Sequence, residues 1–225
     1  MEIETNVPYA KKVYDALKES IITNELKPGQ VLNERDISAR LQISRTPLRD
    51  GLNLLEKEGL IQRTGKVRRV SALTWEQIKE IYEIRLLIES YAIQLVAEKR
   101  SEADAAEFVN RHNAFAQEFL KNPDESTLSF LSADKDWHLL ILSQCGNSRL
   151  YRMLEEIYEQ FIRISYFTTM SGHSRIRESI QEHGDICKAI SLRDPDMAKA
   201  ALRVHLEKWY ESLQQNWDAG ECINT

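Results

Sequence analysis

Strand-forming signals in this chain of 225 residues are confined to one short stretch between Leu60 and Val70. Any sheet it makes is therefore a single small ribbon, and helices must supply everything else. Leu60, Ile61 and Val70 flank a polar segment around Gly65, which is the pattern of a β-hairpin. Three helix patterns precede it. Val13, Leu17 and Ile21 recur at i, i+4 and i+8 on a helix expected from about Tyr9 to Asn24, broken by Lys27-Pro28-Gly29. Asn33 caps a short second helix, Glu34 to Leu41, with Ile37 and Leu41 as its apolar pair. Ser44 caps a third, running to about Glu58, which turns Leu48, Leu52 and Leu55 inward, carries Pro47 in its first turn and is closed by Gly59. Three helices and a hairpin within ~65 residues is the order of a winged helix-turn-helix.

From Thr74 onward only helix signals remain. Thr74 and Gln77 form a capping box for a helix to about Lys99, Ser101 caps the next to about Lys121, Asn122-Pro123 and Asp194-Pro195 each pair an N-cap with proline, and Gly146-Asn147 marks a further break. The spacing predicts helices near 74–99, 102–121, 123–144, 148–170, 174–192 and 195–216. The fold class is thus mainly α: a winged helix-turn-helix over 1–72, an all-α helical bundle over 73–217, and a tail, 218–225, read as mobile.

Charge follows the same division. The net charge of −5 conceals 13 Lys and Arg against 10 Asp and Glu up to Val70, and 17 against 25 beyond it. An acidic bundle is attached to a mildly basic domain, which fits nucleic acid as a partner of the first. Cys145, Cys187 and Cys222 are odd in number with no CxxC pair, so neither a disulfide framework nor a thiolate metal site is expected. Met1 to Lys12 has no apolar signal core, and no run approaches ~18 apolar residues; a cytoplasmic protein with no membrane span is the expectation.

Within the basic domain, Arg45 and Arg49 lie at i, i+4 on the third helix, near its start and opposite the leucines. An arginine there can donate two hydrogen bonds to guanine O6 and N7. Arg35 and Thr46 are placed to add contacts, and Lys66, Arg68 and Arg69 on the hairpin to reach backbone or groove. Alone, such a pair reads as a solvated helix face. The surrounding residues, LKPGQVL at 26–32 and NERDISARLQISRTPLRDGLNLLEKEGL at 33–60, resemble the N-terminal domain of the GntR family of transcription regulators. That resemblance implies base contacts by Arg35, Arg45 and Arg49, phosphate or base contacts by Ser44 and Thr46, and a wing tip at Gly65 near the minor groove. Asp50-Gly51 stands where Glu-Ala is more usual, and the wing GKVRRV lacks a second glycine.

The bundle carries its own constellation. Asp134 and His138, four apart on one helix, share a face; His183 and His205 follow on later helices, the latter in an apolar run. Brought around one cavity, a carboxylate and three imidazoles suit a divalent transition metal ion, Zn, Ni, Mn or Fe; taken singly, each His reads instead as a satisfied core or surface residue. His112 and His173 are read as ordinary. LSADKDWHLLILSQCGNSRLYRMLEEI at 131–157 and SIQEHGDICKAISLRDPDMAKAALRVHL at 179–206 resemble the FCD ligand-binding domain of FadR-type GntR regulators. Its metal-binding members hold the ion with an Asp-x-x-x-His pair and two later His residues, which the resemblance places at Asp134, His138, His183 and His205. It also implies that Arg85 meets an effector carboxylate; an ion pair with Glu89 at i+4, or a role at a dimer interface, is the alternative.

The function expected is a DNA-binding regulator, not an enzyme, whose affinity for a near-palindromic double-stranded DNA operator responds to a small-molecule effector, a small organic acid, and which works as a homodimer. A metal-responsive regulator is the alternative. A metallo-hydrolase ranks below both, because Glu182 beside His183 points about 100° away along the helix and no nucleophile-base pair or HExxH motif is present.

Overall fold

In a computed structural model of the chain, the structure describes residues 9–99, 101–121, 127–169 and 174–218, which divide between Leu73 and Thr74 into two compact units.

The first unit contains α1 (Tyr9–Ile22), α2 (Glu34–Leu41), α3 (Arg45–Lys57), β1 (Ile61–Thr64) and β2 (Val67–Val70). Helix α1 ends earlier than the 9–24 expectation, because Asn24 takes a left-handed backbone, a role suited to Asn or Gly at a helix end. The strands pair antiparallel, Ile61 opposite Val70 and Thr64 opposite Val67, around a two-residue turn whose first position is Gly65 at φ 62. The segment after Pro28 lies along the other edge of β2, with Val70 N donating to Gln30 O and Leu32 N to Arg68 O, each at 2.9 Å. A third extended segment is therefore added where the sequence shows only a helix break. Val13, Leu17, Ile21, Leu48, Leu52, Leu55, Leu60, Ile61 and Val70 form one core.

Gly51 has a packing reason. A Cβ built there would stand 2.9 Å from both the Ala10 carbonyl oxygen and Val13 Cγ1 of α1. Gly51→Ala would gain ~1 kcal/mol of helix propensity but force two backbones apart, and overpacking costs ~1–3 kcal/mol. The expected outcome is a net loss of about 1 kcal/mol, read as a lower urea midpoint.

The second unit consists of α4 (Trp75–Lys99), α5 (Glu102–Lys121), α6 (Thr127–Gln144), α7 (Ser148–Thr169), α8 (Ser174–Ser191) and α9 (Pro195–Asp218). Thr74 and Gln77 close the expected capping box at 3.1 and 3.2 Å, and Asn147 and Asp194 cap α7 and α9. Asn122-Pro123, His173 and 219–225 lie outside the described residues. Helix α4 packs on α9, α6, α7 and α8, while α8 also meets α5 and α9. Along α9 the buried positions Ala198, Leu202, His205, Leu206, Trp209 and Leu213 form one inward stripe, so His205 occupies a place otherwise given to apolar residues.

Candidate functional site

Each unit presents one site. In the first, Asn33, Glu34, Arg35, Arg45, Arg49 and Lys66 line a cleft of about 420 Å³. Arg35, Ser44, Arg45, Thr46, Arg49, Gly65 and Lys66 are all exposed, as a nucleic-acid face requires. Ser44 sits at the N-cap of α3 but makes no side-chain cap bond. Proline removes one of its two possible donors: a Ser cap accepts from the N–H of the second or third helical residue, and the third is Pro47, which has none.

Arg68 departs from the expectation of a groove contact. It is buried, with Nη1 donating to Glu34 Oε1 at 2.7 Å, Nη2 to Asn53 Oδ1 at 2.6 Å and Nε to Glu56 Oε2 at 3.2 Å. Strand alternation puts it on the same face as Val70, which is in the core. Arg69, on the opposite face, donates to the Gly29 carbonyl at 3.2 Å.

In the second unit, α6, α8 and α9 bring Asp134, His138, His183 and His205 together, all buried. Ligand nitrogens of the three imidazoles lie within 4.8 Å of one another. Asp134 reaches two of them, with Oδ1 at 3.5 Å from His183 Nε2 and Oδ2 at 3.9 Å from His138 Nε2, while Ser179 Oγ donates to Oδ1 at 3.3 Å. Trp137 stacks on His183 with centroids 3.9 Å apart. His112, on α5, packs against α8 at Gly184 rather than joining the cluster.

The outer partners were not legible from local spacing. Glu89 Oε2 lies 2.7 Å from His138 Nδ1, and Glu182 Oε2 lies 2.7 Å from His205 Nδ1. A carboxylate on the outer nitrogen favours the proton there and leaves the inner nitrogen as a lone-pair donor, the usual support of a metal-ligating imidazole. Glu182 is in turn held by both terminal nitrogens of Arg175, at 2.9 and 2.8 Å. Arg85 makes the ion pair with Glu89, its Nε donating to Oε1 at 2.6 Å, and its Nη2 lies 3.3 Å from His138 Nε2 and 3.4 Å from Tyr158 OH, within the cluster.

Burial dominates the electrostatics. It pushes His205 down to about 4 and His183 well below the ordinary imidazole value, so both stand neutral. Burial would raise Glu182, but hydrogen bonds from His205 and Arg175 prevail and hold it down to about 2. The same opposition, won by Arg85 and His138, keeps Glu89 ionised. In the unfolded chain the imidazoles titrate near ~6.5. Between that value and about 4 the unfolded state takes up a proton that folded His205 refuses, so stability falls as pH falls through the window. Moving from pH 7.5 to 5 in chelator is expected to cost about 2 kcal/mol through His205, with His183 adding in the same direction. Urea unfolding at the two pH values checks this, and His205→Asn should remove the His205 share and leave that of His183.

The donor set fits a divalent transition metal ion. Among the described residues, His183 has no hydrogen-bond partner at either ring nitrogen although fully buried, an arrangement that costs ~1–3 kcal/mol unless something else engages it. With metal–nitrogen bonds of ~2.0–2.1 Å, nitrogens sharing one ion lie up to ~4.2 Å apart, close to the 4.8 Å within which the three imidazole nitrogens stand.

Comparison with known proteins divides at the same place. The model of the bacterial regulatory proteins of the gntR family matches residues 9–69, and that of the FCD domain matches 80–208. YdhC of Bacillus subtilis, an uncharacterized HTH-type transcriptional regulator, is 26% identical over 223 residues, covering 98% of this chain and 97% of that protein. The gluconate operon transcriptional repressor of Bacillus licheniformis is 26% identical over 210 residues, covering 89% and 83%. Among solved structures, Escherichia coli McbR/YncC superposes with a TM-score of 0.74 at 21% identity, covering 94% of this chain and all of that one.

Proposed function

The chain belongs to the GntR family of bacterial transcription regulators, with an FCD effector-binding domain following its winged helix in sequence, and from that membership we propose that a small organic acid, held with a divalent transition metal ion in the buried imidazole cluster, sets its affinity for a DNA operator. The observation that carries this reading is His183, buried among two further imidazoles and Asp134 with neither ring nitrogen bonded. The family and the relatives are transcription regulators, not enzymes.

Asp134, His138, His183 and His205 would hold the ion, which when bound supplies a Lewis-acidic anchor for a carboxylate oxygen. Glu89 and Glu182 orient two of the imidazoles from behind. Arg85 reaches into the cluster with a charged nitrogen beside His138, and its Nη1, which makes no hydrogen bond among the described residues, suits the second oxygen of the acid. Glu182 makes a poor general base: it faces away from the cluster into Arg175 and His205 Nδ1, which speaks against a hydrolase.

The sense of control is repression, as the name of the Bacillus licheniformis relative states for that protein, exercised in the cytoplasm where bacterial DNA lies. A homodimer on a near-palindromic operator completes the reading. Ile84, Leu87 and Tyr91 form an exposed stripe on α4 at i, i+3 and i+7, a surface that a second copy would cover.

Operator binding measured by anisotropy, with protein stripped by chelator and then reloaded, tests the whole. A panel of small carboxylic acids should shift the affinity of the loaded protein ~5–150-fold and leave the stripped protein unmoved. A shift on reloading without any acid would instead mark the ion as the signal. Protein that purifies without metal, takes up none and ignores every acid would sink both versions.

A further inference from the structure

A carboxylate in a DNA-reading cleft repels phosphate, so Glu34 calls for a reason. Its two oxygens are both engaged by arginine. Oε2 accepts from Arg49 Nε at 3.0 Å, and Oε1 accepts from Arg68 Nη1 at 2.7 Å. An exposed ion pair contributes little when both side chains are free to move. Here one end is fixed, because Arg68 is buried and is held in addition by Asn53 and Glu56. The series Asn53 and Glu56 to Arg68, Arg68 to Glu34, and Glu34 to Arg49 ties β2, α3 and α2 into one bracket that ends on the half-exposed guanidinium of Arg49.

The atom that Glu34 takes is informative. Guanine is read end-on, by two parallel N–H groups directed at O6 and N7. Engaging Arg49 at Nε leaves both terminal nitrogens for a base and restricts the plane in which they lie. We propose that Glu34 is a positioning residue for sequence reading, a fixed carboxylate that aims the guanidinium of Arg49 at a guanine in the operator. The inference rests on Arg49 meeting a base, and the experiment separates the two ideas.

Full-length protein is used to select duplexes from a randomised pool, and base preference is measured position by position for wild type, Glu34→Ala, Arg49→Ala and the double variant. Glu34→Ala should weaken guanine preference ~10-fold, the scale of one lost bidentate contact, at the position where Arg49→Ala abolishes it, and leave other positions unchanged. It should add nothing in the Arg49→Ala background. Affinity for random-sequence DNA should hold or rise, since a negative charge has left the cleft. Glu34→Gln, which keeps an acceptor for Arg49 without the charge, should retain part of the preference and guards against a folding defect. Equal loss at every position, or a Glu34→Ala loss that persists without Arg49, would reduce Glu34 to an anchor for the wing. Arg49→Ala with no effect on any base would overturn base reading by Arg49 and this inference together, while an effect of Arg49→Ala alone would overturn only the role of Glu34.

Discussion

His183→Ala is expected to abolish the response of operator binding to metal and acid while leaving binding by the metal-free protein intact. Of the three clustered imidazoles it is the cleanest to remove. His138 and His205 each face a buried carboxylate, so truncating either one strands Glu89 or Glu182 in a changed setting. Among the described residues, His183 stacks on Trp137, meets the rings of His138, His205 and Phe115, and lies more loosely against Asp134. Its loss removes packing on the tryptophan but also removes two buried polar atoms without hydrogen bonds, effects of opposite sign and similar size. Changes to outer-shell partners alone typically weaken a metal site ~10–100-fold, so loss of a direct ligand should exceed 100-fold. Wild type at ~1,000 times its dissociation constant would gain about 4 kcal/mol of stability from the ion; the variant at the same concentration would gain under about 1.5 kcal/mol. Metal content by mass spectrometry and the metal-induced rise in Tm measure this. A variant that retains wild-type metal and response would move the effector site elsewhere.

What was legible in the sequence follows the range of the interactions concerned. Helix ends in the second unit are set by neighbours within four residues, such as the Thr74 and Gln77 box and the Asp194 cap, and these were readable in advance. The i, i+4 geometry of Asp134 with His138, and of Arg85 with Glu89, was equally local. What placed His183 and His205 with them was family resemblance, since their helices meet only in the fold. Glu89 behind His138 and Glu182 behind His205 are long-range pairs with no signal of their own. Arg68 is different. Its burial could have been read from the period of two that links it to Val70, but a basic run invites grouping by charge. Gly51 reads as a defect in α3 until α1 is seen lying against it.

Arg85→Met should be the most destabilising single change in the bundle, and the way it is rescued should show which of its two roles is structural. Arg85 and Glu89 are both almost wholly buried, and burial opposes charge on each. Removing the guanidinium leaves Glu89 with only His138 and the Tyr158 hydroxyl, and breaking a buried pair in this way costs about 3–5 kcal/mol. Arg85→Met with Glu89→Gln deletes both charges, retains a side chain able to meet His138 Nδ1, and should recover a large part of that loss; neighbouring pairs of this kind couple by up to ~3 kcal/mol. Chemical denaturation of the two single variants and the double gives the coupling directly. Function should not follow stability. Metal uptake should weaken in the double variant by no more than the ~10–100-fold of an outer-shell change, because the four ligands are untouched, whereas the response to organic acids should be lost at any metal loading, because the Arg85 guanidinium no longer stands beside His138. Were the rescued protein to answer acids as wild type does, Arg85 would be confined to holding Glu89, and the acid would have to be met by another group.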